Sequence, residues 1–228
     1  MSESRSAHTA PRVAVVLSGC GVYDGAEIHE SVLTLLALDR AGAQAQCFAP
    51  DRPQHHVINH LTGAEQTDAP RNALVESARI ARGKILPLAD YRAADFDAIV
   101  FPGGFGAAKN LSSFAFDGVD CTVEADVERA IRETHAAGKP IGALCISPVL
   151  LAKVLGDGIS LTIGSDAGAA GAVTAMGADH RITGHGEVIV DPVRRVATTP
   201  CYMLDATLSQ IDDGARAVIR AVLELIER

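Results

Sequence analysis

The chain has 228 residues, 48% of them hydrophobic and 21% charged, with a formal net charge of −8. That is enough apolar material for one α/β domain with a full core, and the acidic balance argues against nucleic acid or an anionic membrane as partner. Tryptophan is absent, aromatics make up 4%, and no apolar stretch approaches the roughly 20 residues of a bilayer span, which excludes a base-stacking platform and a membrane helix.

Residues 1–12 are polar and lack an apolar signal-peptide core, so they read as a flexible tail ahead of a single domain over 13–228. Val13–Leu17 is a β-branched run that stops at Ser18-Gly-Cys-Gly21, the pattern of a buried strand ending in a glycine loop. A helix is predicted from about Ala26 to Arg40, with Gly42 as its stop, and a short strand over Gln46–Ala49. Residues 51–70 read as loop, and Pro70 opens a helix to about Ala81. Ala98–Phe101 is a further buried strand, and it runs into Pro102-Gly-Gly-Phe-Gly106. A helix over Asp120–Ala137 leads through Gly138-Lys-Pro140 into a strand that ends at Cys145. Leu161–Gly164 is strand-like, Val188–Val190 and Arg195–Thr198 bracket a hairpin, and Met203–Glu227 is a long helix.

Strands alternating with helices predict a mostly parallel sheet covered on both faces, with a small β-hairpin appendage. Ligands in such sheets bind beyond the carboxyl ends of the strands, here the loops 18–25, 102–110, 145–148 and 198–203.

Pro140–Val149 has the layout of a nucleophile elbow, an apolar run ending in Cys145 followed at once by a helix-like segment. A thiol near a helix N-terminus is biased toward the attacking thiolate; the alternative is a small buried hydrophobe. Asp24 and Glu27 fit a capping box, which gives both carboxylates structural work. Glu30 has no such duty and, with Leu33 and Ala37 as helical neighbours, sits over an apolar face. A desolvated carboxyl there trades protons near neutrality; the alternative is a surface glutamate favoured by the helix dipole. The Pro-Gly-Gly turn offers backbone amides for an oxyanion, or is a plain tight turn. His185-Gly-Glu187 is either the rest of a Cys-His-Glu triad or a solvated turn. His29 points about 100° away from Glu30 around a helix. Cys20, at the mouth of the first strand, is a second thiol in the cleft or a packing residue. The five cysteines at 20, 47, 121, 145 and 201 follow no metal-knuckle or disulfide spacing, so a reducing, cytoplasmic setting without a metal is expected.

Together these segments resemble the PfpI-type proteins with a class I glutamine amidotransferase-like fold, through Gly25–Glu30, Phe101–Gly104 and Ala143–Ile146. They resemble in particular the enhancing-lycopene-biosynthesis family of isoprenoid biosynthesis glyoxalases. That likeness runs through Leu17–Gly25, Cys47–Pro50, Val57–Gly63, Gly103–Leu111 and Ala197–Pro200. The resemblance implies a flavodoxin-like three-layer sandwich, a homodimer, no cofactor and a small dicarbonyl substrate. It makes Cys145 the nucleophile, Glu30 its acid/base partner, and the amides of Gly104 and Ile146 the oxyanion hole. Cys20, Gly103, Asn110 and Thr199 are the candidate lining of the substrate pocket. Ile146 stands where peptidase-like relatives carry a histidine, and in glutaminases a His-x-Glu pair lies further beyond the cysteine than His185 does here. A Cys/Glu pair alone suits proton transfer on a small carbonyl compound. The competing readings are a glutaminase subunit feeding ammonia to a partner and a redox-sensing protein built on Cys145.

Overall fold

A computed structural model describes residues 10–227. In chain order the strands and helices are β1 (Arg12–Val16), α1 (Ile28–Arg40), β2 (Gln44–Ala49), α2 (Ala73–Ile80), β3 (Ile85–Pro87), β4 (Ala98–Phe101), α3 (Phe105–Lys109), α4 (Phe114–Asp117), α5 (Ala125–Ala136), β5 (Ile141–Leu144), α6 (Pro148–Leu155), β6 (Ser160–Leu161), α7 (Ala167–Ala175), β7 (Asp179–His180), β8 (Ile189–Asp191), β9 (Val196–Thr199) and α8 (Leu208–Ile226). Seven strands form one sheet in the order β3-β2-β1-β4-β5-β9-β8. All its pairings are parallel except β8 with β9, so the expected hairpin forms and extends the sheet at its edge. Strands β6 and β7 make a separate two-stranded parallel sheet.

The central strands are apolar on both faces because helices cover both. Along β1, Val13 and Val15 pack with Leu38 of α1 and with Ile211, Ala215 and Val218 of α8. Ala14 and Val16 point the other way, into the core shared with Val127 and Ile131 of α5 and Val149–Ala152 of α6. This is the flavodoxin-like three-layer sandwich that the resemblance implied.

Several boundaries differ from expectation, each for a local reason. Of the expected tail, residues 1–9 lie outside the described residues, while Arg12 already pairs with Gln44 in β1. Helix α1 does not start from an Asp24–Glu27 capping box. Glu27 itself is the N-cap and accepts from the Glu30 amide at 2.7 Å, while Asp24 accepts from the Ile58 amide at 2.7 Å. Helix α5 starts at Ala125 rather than Asp120 because Glu124 caps the amides of Asp126 and Val127. The Leu161–Gly164 strand is cut short after Leu161, since side chains take its next amides: Thr162 N–H donates to Thr198 Oγ1 and Gly164 N–H to Thr162 Oγ1. Helix α8 starts five residues later than expected, where Thr207 and Gln210 form a capping box. The residues before it, Cys201–Met203, make a 3₁₀ turn that carries part of the site.

Candidate active site

The carboxyl ends of β1, β4, β5 and β9 bring the four loops singled out in the sequence to one place. Cys145 sits between β5 and α6 with φ +58, a left-handed backbone that costs a non-glycine residue about 1–2 kcal/mol. The turn is pinned on both sides. Cys145 N–H donates to Thr199 O at 2.9 Å, Ser147 N–H to Leu144 O at 3.0 Å, and Ser147 Oγ to Pro102 O at 2.7 Å. At the end of neighbouring β9, Cys201 is also left-handed, with φ +42. Two strained residues at adjacent strand ends are the usual mark of a functional site.

Glu30, in the first turn of α1, is fully buried. Its Oε2 accepts from Gly103 N–H at 3.0 Å and its Oε1 from Tyr202 N–H at 3.2 Å. Its carboxyl and the Cys145 thiol both border Gly103, close enough for each to shift the other's proton affinity. Burial, reinforced by the nearby Glu27 carboxylate, pushes Glu30 up to about 7, against the pull of the two amides and the thiol. Burial and the Glu30 charge likewise raise the Cys145 thiol well above its ordinary value, while the nearby amides of Gly104 and Ile146 pull it down.

Only glycine fits between the two side chains. A β-carbon on Gly103 would lie 2.5 Å from Cys145 Cβ, 2.7 Å from Glu30 Oε2 and 3.0 Å from Cys145 Sγ. Gly104, with φ +95, lets the loop press against Glu27 N and Gly25 O, where a β-carbon would come within 2.3 and 2.5 Å. Cys145 is 6% exposed and lines a cavity of about 330 Å³. Gly104, Phe105, Ile146, Tyr202 and Met203 line it, together with the carboxylates Glu27 and Asp166.

The structure therefore brings Cys145, Glu30, Gly103, Gly104 and Ile146 together. Thr199 lies beneath them, holding the Cys145 amide with its carbonyl and donating from Oγ1 to Glu187 O. Asn110 is elsewhere: its Nδ2 donates to Ser18 O and Asp24 O and its Oδ1 accepts from His55 N–H, so it ties loops together and does not line the Cys145 cavity. Cys20 is half-buried near Glu76 and Arg79 of α2, and burial raises its thiol. His185 is exposed in a turn that Glu187 closes by accepting from Gly184 N–H, and it does not line the cavity.

Sequence reasoning missed Tyr202, whose amide holds Glu30 and whose hydroxyl meets His29 Nδ1 at 2.9 Å, and Asp166, the N-cap of α7. It also missed Cys201, buried near Glu30 and Cys145. The Pro200–Cys201 step straight after a buried strand was the available signal for the first and last of these.

The sheet order, the cysteine elbow and the facing glutamate define a class I glutamine amidotransferase-like domain of the DJ-1/ThiJ/PfpI type. Drosophila melanogaster DJ-1beta has this fold at a TM-score of 0.54 and 18% identity, over 96% of the present chain and 95% of its own. A crystal structure of an isoprenoid biosynthesis protein with an amidotransferase-like domain from Ehrlichia chaffeensis superposes at a TM-score of 0.89 and 37% identity, over 95% of this chain and 99% of its own. No protein-family model matches the sequence. A human protein named glutamine amidotransferase-like class 1 domain-containing protein 3, mitochondrial, is 54% identical over 225 residues, 95% of this chain and 84% of its own. The ES1 protein homolog, mitochondrial, of Rattus norvegicus is 53% identical over 223 residues, 94% and 84% of the two chains. The chain belongs to this ES1 family of class 1 glutamine amidotransferase-like proteins.

These relatives overturn the cytoplasmic expectation, since they and the ES1 protein of Danio rerio are all named as mitochondrial. Unpaired cysteines report the redox state of a compartment and carry no address. Among the described residues no helix is long and apolar enough to cross a membrane.

Proposed function

We propose that this chain is a cofactor-independent glyoxalase that converts glyoxal or methylglyoxal to the corresponding 2-hydroxy acid. The observation that carries the reading is a fully buried carboxyl, held by the Gly103 and Tyr202 amides and raised to about 7, beside the thiol of a cysteine that lines a cavity. A carboxyl with that pKa both takes and returns protons at neutral pH.

The Cys145 sulfur attacks the aldehyde carbon and a C–S bond forms. The thiol proton passes through Glu30 to the former aldehyde oxygen, giving a hemithioacetal. Glu30 then removes the hydrogen from that carbon, and the electron pair moves into an enediolate whose charge rests on the former ketone oxygen. The amides of Gly104 and Ile146, which act on the Cys145 thiol, donate to the oxygen that gathers charge. Glu30 returns the proton to the neighbouring carbon while the hydroxyl proton on the first carbon passes to the enediolate oxygen, which leaves a thioester of the 2-hydroxy acid. Water attacks the thioester carbonyl, the C–S bond breaks, and the acid and the free thiol are released. One carbon is oxidised as its neighbour is reduced, so no external electron carrier takes part.

The test is lactate formation from methylglyoxal by wild type, Cys145→Ala and Glu30→Gln side by side. Both variants are expected to lose turnover, and a Cys145→Ala protein that works at the wild-type rate overturns the reading. Glutamate release from glutamine, assayed in parallel, would instead mark an amidotransferase subunit.

A further inference from the structure

Beyond its dicarbonyl unit methylglyoxal carries only a methyl group, and the Cys145 cavity is built for more. Its volume, about 330 Å³, falls among those of sites that enclose much larger ligands, which run from roughly 300 to 1,000 Å³. Val22, Phe105, Ile146 and Met203 line it with apolar side chains, and Tyr202 joins them. Tyr202 is held at both ends, its amide on Glu30 Oε1 at 3.2 Å and its hydroxyl 2.9 Å from His29 Nδ1. Ile146 and Met203 pack against the core on both faces of the sheet. Phe105, the first residue of α3, is 48% exposed, a large ring left open to water at the site. Apolar surface of this kind at a reactive centre marks where the apolar part of a ligand is covered.

The charge of the lining is one-sided. Among the described residues that line the cavity none is Lys, Arg or His, whereas Glu27 and Asp166 are both carboxylates. Each caps a helix, which fixes it in place. Glu27 Oε2 accepts from Glu30 N–H at 2.7 Å at the start of α1, and Asp166 Oδ1 accepts from Ala169 N–H at 2.7 Å at the start of α7. Two basic side chains adjoin the lining without being part of it. Lys109 Nζ lies 5.1 Å from the Phe105 ring centroid and donates to Tyr23 O at 2.9 Å. His29 Nδ1 lies 4.0 Å from Glu27 Oε1 and is engaged by the Tyr202 hydroxyl. An anion entering beside Glu27 and Asp166 meets like charge in a partly enclosed site, where water screens it less than in bulk.

From these walls we infer that the substrate is a 2-oxoaldehyde with a bulky, uncharged hydrocarbon substituent, branched or cyclic. The aldehyde meets Cys145, and the hydrocarbon lies against Phe105, Ile146 and Met203. A negative charge on that substituent is rejected. The reactive end rests on the glyoxalase reading; the preference for size and against negative charge rests on the lining, so the two are tested apart.

Binding is tested by ligand-observed NMR titration on the Cys145→Ala protein, which removes the chemistry. The probes are cyclohexyl ethylene glycol, the same compound with a carboxylate on its ring, and propylene glycol. The cyclohexyl glycol is expected to bind saturably, at least about tenfold more tightly than propylene glycol, and about fivefold more weakly when Phe105→Ala is added. The ring carboxylate is expected to weaken binding about fivefold, and Asp166→Asn, which keeps a helix-capping side chain, to narrow that gap. Equal binding of the cyclohexyl and propylene glycols overturns the inference, and a ring carboxylate that binds as well as the neutral ring overturns the rejection of negative charge. Turnover is then compared for cyclohexylglyoxal and methylglyoxal, whose substituents are both saturated and so electronically alike. Cyclohexylglyoxal is expected to lead at least about tenfold in kcat/KM, through KM, and Phe105→Ala to erase most of that lead. Equal kcat/KM for the two sinks the substrate assignment. Phe105-dependent binding of the cyclohexyl glycol with no turnover of either oxoaldehyde sinks the glyoxalase reading and leaves the apolar pocket standing.

Discussion

Replacing Glu30 by Gln separates stability from function in a way the geometry makes quantitative. Folding raises this carboxyl from 4.5 to about 7. Between those values the folded protein holds a proton that the unfolded chain has released, so stability declines as pH rises through the window and the cost is complete above pH 7. The shift corresponds to about 3 kcal/mol at pH 8. Glutamine removes that cost but keeps a single acceptor oxygen for the Gly103 and Tyr202 amides, which returns about 1 kcal/mol. The variant is therefore expected to be about 2 kcal/mol more stable than wild type at pH 8, a rise in Tm of roughly 4–8 °C. That gain disappears below pH 4.5, and methylglyoxal turnover is lost throughout. Urea unfolding of both proteins from pH 4 to 8 measures the difference, which cancels the titration of groups that do not interact with Glu30. A Glu30→Gln protein that is less stable at pH 8, with the wild-type pH slope, would show that the site welcomes the carboxylate's charge and would refute the argument.

Three further outcomes follow from the same geometry. Wild-type kcat/KM for methylglyoxal should climb with pH as the Glu30 carboxylate forms, with its half-point near 7; a flat profile from pH 5.5 to 8.5 contradicts its role as base. Gly103→Ala forces a methyl group into the space between Glu30 and Cys145, and should cut turnover at least about 100-fold and cost about 1–3 kcal/mol. Near-wild-type kinetics in that variant would mean the two side chains need not stay in register. Asn110→Ala strands the carbonyls of Ser18 and Asp24 and the His55 amide, and should lower stability by about 2–4 kcal/mol in a thermal melt; an unchanged Tm would show that the loops hold without it.

Much of the fold was legible because buried parallel strands announce themselves. Val13–Val16, Ala98–Phe101 and Ile141–Leu144 are unbroken apolar runs, each followed by a glycine or cysteine turn. Less legible were short elements whose ends are set by side-chain capping. Glu124 and Thr207 decide where α5 and α8 begin, yet neither stands out from other polar residues nearby. In the site, Cys145 was readable from the elbow and Glu30 from its place over an apolar face. Asn110 and Cys20 share the same loops but turn away, since their side chains answer to the 51–60 segment and to α2.

The sequence by itself determined the succession of buried strands and covering helices, because local apolar patterning selects each element and the strand-end loops must then gather at one edge. It also marked a thiol at a sharp turn and a carboxyl beside apolar neighbours. Only the tertiary structure decided that they meet. The residues that hold Glu30 lie 73 and 172 positions away in the chain, and it is the sheet order, with β4, β5 and β9 side by side, that carries Gly103, Cys145 and Tyr202 to the carboxyl. Its pKa near neutrality arises from that enclosure, since withdrawal from water is a property of the assembled core and not of the residue.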